Sequence, residues 1–332
     1  MRTRIIAEVA QGYEGKADYC ALYVKAAAKA GADAVKFQVV YADDLSEPAH
    51  EYYKLYQTLE LAPAVWGEVR EQARALGIDF VTDIFGAQSL AVAKEIRPDG
   101  IKLHASDFFN RALLRDSFEL AETVFVSVGG IGGDEIRQLV EEVTAAGCRD
   151  RLVLLTGFQA EPTPIDRSNL LRLHSLRQSY DGVQIGYLDH APGDSDDQVH
   201  LSVMAMTLGA DWIEKHLTLS RYLEIEDYVS ALEPDEFARY MQTLARLDTA
   251  FGDGDVSLSE EERRYRDKSV KKLLTARRLE AGHRLELGDL VFARSGRIAL
   301  FEGFHDPAEV LGRSLECALD AREPLLAKHL SG

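Results

Sequence analysis

The sequence predicts a (β/α)8 TIM barrel followed by a small, mostly β domain, and three observations carry that expectation. Short apolar runs alternate with longer stretches of helical period, eight such runs precede residue 250, and each brings a polar or charged residue to or near its C-terminal end. Strands are expected at Arg4–Val9, Ala34–Val39, Asp79–Asp83, Gly100–Leu103, Thr123–Val128, Leu152–Thr156, Val183–Tyr187 and Trp212–His216. Between them lie helical patterns such as "ADYCALYVKAAAKAG", "PAVWGEVREQARALG" and "DDQVHLSVMAMTLGA", which close on Gly or Gly-Ala as helix C-caps do. Eight strand–helix units in series fit a closed barrel better than an open sheet, since the count completes the ring and about 250 residues is the usual span. The polar segment 251–267, "FGDGDVSLSEEERRYRD", reads as a linker with one exposed helix, which leaves 1–250 as the barrel and 268–332 as the second domain.

Composition narrows the partners. The chain has 332 residues, 46% hydrophobic and 28% charged, and a formal net charge of −17. That field repels phosphate backbones, and the basic clusters "KSVKK" and "TARR" are too short to overcome it, so no nucleic-acid partner is expected. No apolar stretch approaches the length of a bilayer span, which argues against a membrane partner. Cys20, Cys148 and Cys317 are far apart and odd in number, so neither a disulfide framework nor a cysteine zinc site is suggested. A cytoplasmic location follows as the expectation.

In a barrel of this type, chemistry belongs at the C-terminal ends of the strands. Read in order, those ends present Glu8, Lys36, Asp83, Lys102, Ser127, Thr156 with Gln159, His190 and His216. His190 and His216 close strands seven and eight, which are neighbours in a closed barrel, so two imidazoles can approach one metal ion and leave positions open for a substrate oxygen. Asp189 and Glu214, adjacent in sequence, are candidate partners of those imidazoles. Lys36 and Lys102 are the candidate anion holders in an acidic protein.

Several motifs, "IAEVAQGYEGKADYC", "AGADAVKFQ", "GYLDHAPGD", "LGADWIEKHLTLSR" and "VSALEPDEF", resemble the sialic acid synthase family. The tail, with "LEAGHRLELGDLVFARSG" and "LGRSLECALDAREPL", resembles that family's antifreeze-like (SAF) domain. The resemblance implies a synthase that condenses phosphoenolpyruvate with an N-acylated amino sugar. It implies a divalent ion, usually Mn²⁺ with Mg²⁺, Co²⁺ or Zn²⁺ as alternatives, on His190 and His216. It further implies that Glu8 handles substrate hydroxyls or the attacking water, that Lys36 and Lys102 hold the donor, that Ser127 contacts phosphate, and that Asp107 and Asp227 lie near the acceptor. Arg294 matches the arginine that the small domain inserts into the partner subunit's barrel, which implies a domain-swapped homodimer.

The chain also departs from that pattern. The family's Asn-His pair after the first glutamate is Gly12-Tyr13, the third-strand Ser/Thr is Asp83, the serine after the strand-four lysine is Ala105, and the Ser of "YSDH" is Leu188. Glu161 stands where the family has a tyrosine, and "IEDY" replaces "GPDH" at 225–228. These changes remove hydroxyl donors and add a charge that repels a dianion. Ser106, Gln159 and the amides of "GGIGG" at 129–133 are the candidates to compensate. Glu161 and Asp83 thereby join the candidate substrate-binding residues. Three readings stay open: a phosphoenolpyruvate-dependent sugar-acid synthase, a metal-dependent aldolase or lyase that uses another donor, and a non-catalytic ligand-binding relative.

Overall fold

Alternation of apolar strands with amphipathic helices closes into the expected barrel. In the computed structural model, which describes residues 3–158, 160–296 and 302–331, eight parallel strands pair in sequence order and β8 returns to β1. The strands are β1 (Arg4–Ala10), β2 (Ala34–Gln38), β3 (Asp79–Ile84), β4 (Gly100–Leu103), β5 (Thr123–Ser127), β6 (Leu152–Thr156), β7 (Gln184–Asp189) and β8 (Trp212–His216). The helices of the outer ring are α1 (Ala17–Ala30), α2 (Pro63–Ala75), α3 (Ala87–Ile96), α4 (Arg111–Leu120), α5 (Gly133–Ala145), α6 (Leu171–Ser179), α7 (Asp197–Thr207) and α8 (Pro234–Asp248). Gly31, at φ +85°, ends α1 in the left-handed conformation that its lack of a Cβ permits.

Strand side chains alternate between two environments. One face packs against the helices in the main core, with Val35, Phe37, Val124 and Val126 among its residues. The other fills the lumen with Ile6, Ala34, Val81, Phe125, Val153, Leu155, Leu188 and Trp212, an apolar floor in which Phe125 and Trp212 meet edge to face at 4.9 Å. Two residues further along, the same face carries Glu8, Lys36, Asp83, Ser127, His190 and Glu214, so the polar ring lies directly on that floor.

The chain divides into two compact units, Met1–Gly252 and Asp253–Gly332. In the second unit, a helix at Glu260–Ser269 lies within the polar stretch. Beyond it, β9 (Lys272–Thr275) and β10 (Leu290–Ala293) form an antiparallel pair over a leucine-rich core that includes Leu273, Leu279, Leu315 and Leu325. Among the described residues, isolated bridges such as Leu279–Leu319 add further β character.

Candidate active site

Five buried charges meet on the lumen face. Lys36 Nζ touches the Glu8 carboxylate and lies 3.0 Å from Asp83 Oδ1 and 3.3 Å from Glu214 Oε1. Lys102 Nζ lies 2.8 Å from Glu214 Oε1 and 3.7 Å from Asp83 Oδ2. Removing an ion from water costs several kcal/mol even after relaxation, so these groups are tolerable only together. Three carboxylates face two ammonium groups, and the cage carries one excess negative charge when all are ionised. Burial alone would raise Glu214, but Lys102 and then Lys36 outweigh it and hold the carboxyl at about 2. Burial pushes Lys36 down to about 8 against the pull of Asp83 and Glu214. For Lys102, burial is outweighed by Asp83 and Glu214, which hold it above the usual lysine range. Asp83 Oδ2 and Glu214 Oε2 have no hydrogen-bond partner, which leaves two buried acceptors facing the cage.

Beside the cage stands a second cluster. Glu8 and His216 are register partners across β1 and β8, and the His190 and His216 rings are 5.1 Å apart. The His190 carbonyl accepts hydrogen bonds from Thr163 N at 2.8 Å and Ser230 Oγ at 2.9 Å, which anchors the β7 end to both neighbouring loops. The loop after β6 passes so close that a Cβ at Gly157 would fall 2.3 Å from the Leu188 carbonyl oxygen. Glycine there lets the chain deliver Glu161, whose Oε1 lies 3.6 Å from His190 Nε2 and 3.8 Å from His216 Nε2. Asp227 Oδ2 lies 3.6 Å from His216 Nδ1, and its carboxyl shares a hydrogen bond with that of Glu161.

The donor set fits a divalent ion. One atom from each of Glu161, His190 and His216 lies within 4.8 Å of the others. Burial, and then His216, lowers His190 to about 3, and burial also lowers His216, so both rings are neutral and free to coordinate near pH 7. His190 Nδ1 is buried without a partner. Burial and then Asp227 push Glu161 up to about 10, a proton that a bound cation would displace. Two imidazoles with one carboxylate suit a first-row divalent metal and leave coordination positions open.

Several expectations change in the structure. Asp189 faces away from the imidazoles, because odd–even alternation turns it outward to Lys215 at 3.3 Å, and Lys215 Nζ also donates to the Ala191 carbonyl at 3.0 Å. Glu214 faces the lysines. Glu161, read from sequence as substrate-binding, joins the histidines; a carboxylate on the loop beside β7 was the available signal. Thr156 has the opposite parity to Leu155 and leaves the lumen. Ser106 and Asp107 lie on a short 3-10 turn after β4, where Ser106 Oγ donates to Asp107 Oδ2 at 3.0 Å. Ser127 is buried on the lumen face. The Gly132 amide donates to Glu135 Oε2 at 2.7 Å, so a carboxylate already occupies part of the glycine-rich turn. Gln159 lies outside the described residues. Arg294, in the second unit, is exposed and donates from Nε to the Ser269 carbonyl at 3.2 Å. A cavity of about 470 Å³ opens at the opposite end of the barrel, lined by Arg4, Arg177, Tyr180 and Trp212. Arg177 there already pairs with Asp211.

A parallel eight-stranded barrel whose strand ends gather a metal-type cluster and a lysine–carboxylate cage defines a class of protein built for chemistry on small polar substrates. The chain belongs to the NeuB family, whose sequence profile matches residues 23–256. It is 27% identical over 345 residues to N,N'-diacetyllegionaminic acid synthase of Legionella pneumophila, covering 98% of this chain and 94% of that one. The crystal structure of N-acetylneuraminic acid (sialic acid) synthetase from Leptospira borgpetersenii, in complex with citrate, superposes with a TM-score of 0.73 at 26% identity, over 81% of this chain and 93% of that one. A spore coat polysaccharide biosynthesis protein E from Chromobacterium violaceum shares the fold along the whole of both chains, with a TM-score of 0.85 at 22% identity. Among the described residues, no helix is long and apolar enough to cross a membrane.

Proposed function

We propose that this chain is a metal-dependent sugar-acid synthase that joins a three-carbon enolpyruvate unit to the aldehyde of an amino-sugar-like acceptor. The observation that carries the reading is the adjacency of Glu8 and His216, which sets a cationic–anionic cage against a cluster able to hold a cation. His190, His216 and Glu161 hold the divalent ion, Mn²⁺ by resemblance, which supplies Lewis acidity to the acceptor carbonyl when bound. Lys36 and Lys102 orient the donor's anionic group. Glu8 exchanges a proton with substrate, and Asp227, at His216, faces the acceptor. Holding donor and acceptor at fixed separation supplies much of the rate enhancement.

Phosphoenolpyruvate is the donor implied by the resemblance. Its use ends with water adding at C2 and phosphate leaving by C–O cleavage. A second reading, an aldolase-type addition with an unphosphorylated donor, is favoured by the position of Asp83 between the two lysines. By resemblance, the second unit is an antifreeze-like domain whose Arg294 completes the site of a partner subunit in a two-fold dimer, in the cytoplasm.

The test is product formation. Mn²⁺-loaded protein is incubated with phosphoenolpyruvate or pyruvate and a panel of N-acyl hexosamines, with a chelator control. Appearance of a 2-oxo sugar acid that requires metal supports the reading; its absence with every pair overturns it.

A further inference from the structure

We infer that Asp189 and Lys215 are positioning residues of the metal cluster: from behind the barrel wall they clamp the backbone on which His190 stands and tie it to the strand that carries His216. The inference rests on the metal reading proposed above and adds to it two residues that touch neither ion nor substrate. Asp189 and Lys215 are register partners across β7 and β8, and each immediately precedes one of the two histidines.

Three contacts make the clamp. Asp189 Oδ1 accepts the Ala191 amide at 2.8 Å, Lys215 Nζ donates to the Ala191 carbonyl at 3.0 Å, and the two side chains meet through Asp189 Oδ2 at 3.3 Å. The Ala191 amide belongs to the same peptide group as the His190 carbonyl, which Thr163 N and Ser230 Oγ hold at 2.8 and 2.9 Å. Both polar atoms of the peptide that follows His190 are thereby fixed, and the next carbonyl is bonded across to β8. A side chain swings with its own backbone, so this anchoring sets the His190 ring relative to that of His216, 5.1 Å away. Functional groups of a designed site must be held to within about 0.5 Å of the productive arrangement, and spacing is what two metal-binding imidazoles have to specify.

Stability alone does not account for the pair. Both side chains are fully buried in the helix-facing layer, which Ile185, Tyr187, Ile213 and Leu217 of the same two strands otherwise make apolar. Moving two charges from water into such a layer is costly, and apolar residues of similar volume commonly match or better a buried ion pair. What an apolar pair at these positions could not supply is the two hydrogen bonds to the Ala191 backbone beside the metal ligand.

The test is calorimetric titration of the metal-free full-length protein with Mn²⁺, beside thermal melting in chelator. Asp189→Leu/Lys215→Met removes both anchors without stranding a charge, so it is expected to melt no lower than wild type. Its Mn²⁺ affinity is expected to fall at least about tenfold, the usual effect of losing an outer partner of a metal ligand. Asp189→Asn/Lys215→Met is the independent variant: it keeps an acceptor for the Ala191 amide, loses the donor to the carbonyl, and is expected to weaken Mn²⁺ by less. Asp189→Asn alone keeps both hydrogen bonds and is expected to bind Mn²⁺ as wild type does. Wild-type affinity in the first double variant or, where that protein does not fold, in the second reduces the pair to a structural role and overturns the inference while the metal site stands. An affinity in Asp189→Asn as low as in the double variants assigns the effect to charge and also overturns it, as does a melting loss that parallels the affinity loss across the three variants. If wild type itself takes up no Mn²⁺, the metal reading and the inference fall together.

Discussion

Glu8 and His216 face one another across the β1–β8 pairing, so the carboxylate that engages Lys36 and an imidazole of the metal-type cluster stand at the same height on neighbouring strands. The two clusters are thus one site. Glu8 is fixed from both sides, since its Oε1 also accepts the Ala10 amide at 2.5 Å. Glu8→Gln keeps an acceptor for that amide and removes the charge. Turnover should fall by about 10²–10⁴-fold, the usual worth of an acid–base group, with metal content unchanged. Unaltered turnover beside normal metal content removes Glu8 from proton transfer.

Metal binding should follow the three-residue cluster. The His190→Ala/His216→Ala protein is expected to lose its Mn²⁺ stoichiometry. Glu161→Gln should weaken Mn²⁺ at least about tenfold in calorimetric titration, because one of three anchoring ligands becomes a poor donor. Wild-type affinity in Glu161→Gln would assign that carboxylate to substrate alone.

The metal-free protein should be squeezed from both ends of the pH scale. His190 has a folded value of about 3 against an ordinary 6.5. A lowered folded value means that its contribution is present above pH 6.5 and is lost as pH falls toward 3. Glu161, raised to about 10 from 4.5, contributes fully below pH 4.5 and loses that contribution as pH rises toward 10. Glu161→Gln should therefore melt several degrees higher than wild type at pH 8 in chelator, roughly 2–4 °C for each kcal/mol in a domain of this size. A melting temperature at or below wild type contradicts the assignment.

Breaking the cage should cost more than it removes. Lys36→Met leaves Glu8 and Asp83 facing each other with one cation fewer, a change of about 3–5 kcal/mol for a buried pair. Adding Asp83→Asn should recover part of that loss, a coupling on the order of 0.5–3 kcal/mol in a urea double-mutant cycle. Donor affinity should fall in Lys36→Met. Strict additivity, or unchanged donor affinity, argues against a shared cage.

A composite site in a two-fold dimer is testable by complementation. Arg294→Ala and His216→Ala, each inactive alone, should regain partial activity when mixed under conditions of subunit exchange, since one intact site then forms per heterodimer. Mixtures that stay inactive despite demonstrated exchange rule this arrangement out.

The barrel, and which polar side chains stand at its strand ends, were legible in the sequence. Period-two strands separated by amphipathic helices encode which side chains enter the lumen, and the unusual polar ends of "EVA", "VKF" and "EKH" announce that the lumen is not purely apolar. His190 and His216 could be paired because strands seven and eight, consecutive in a barrel whose strands pair in sequence order, are neighbours. Partnership among the charges could not be read this way, since ion pairing depends on distances of a few ångströms between residues far apart in sequence, such as Lys102 and Glu214. Strand parity also had to be seen to send Asp189 outward to Lys215. Glu161 reaches the histidines because a glycine lets its loop pass over β7, a close approach between backbones that local sequence does not report. Sequence by itself determined the ring and the residues on it; the tertiary structure decided which charges neutralise one another and which carboxylate faces the imidazoles, because electrostatics in a desolvated interior is set by three-dimensional separation and local patterning is not.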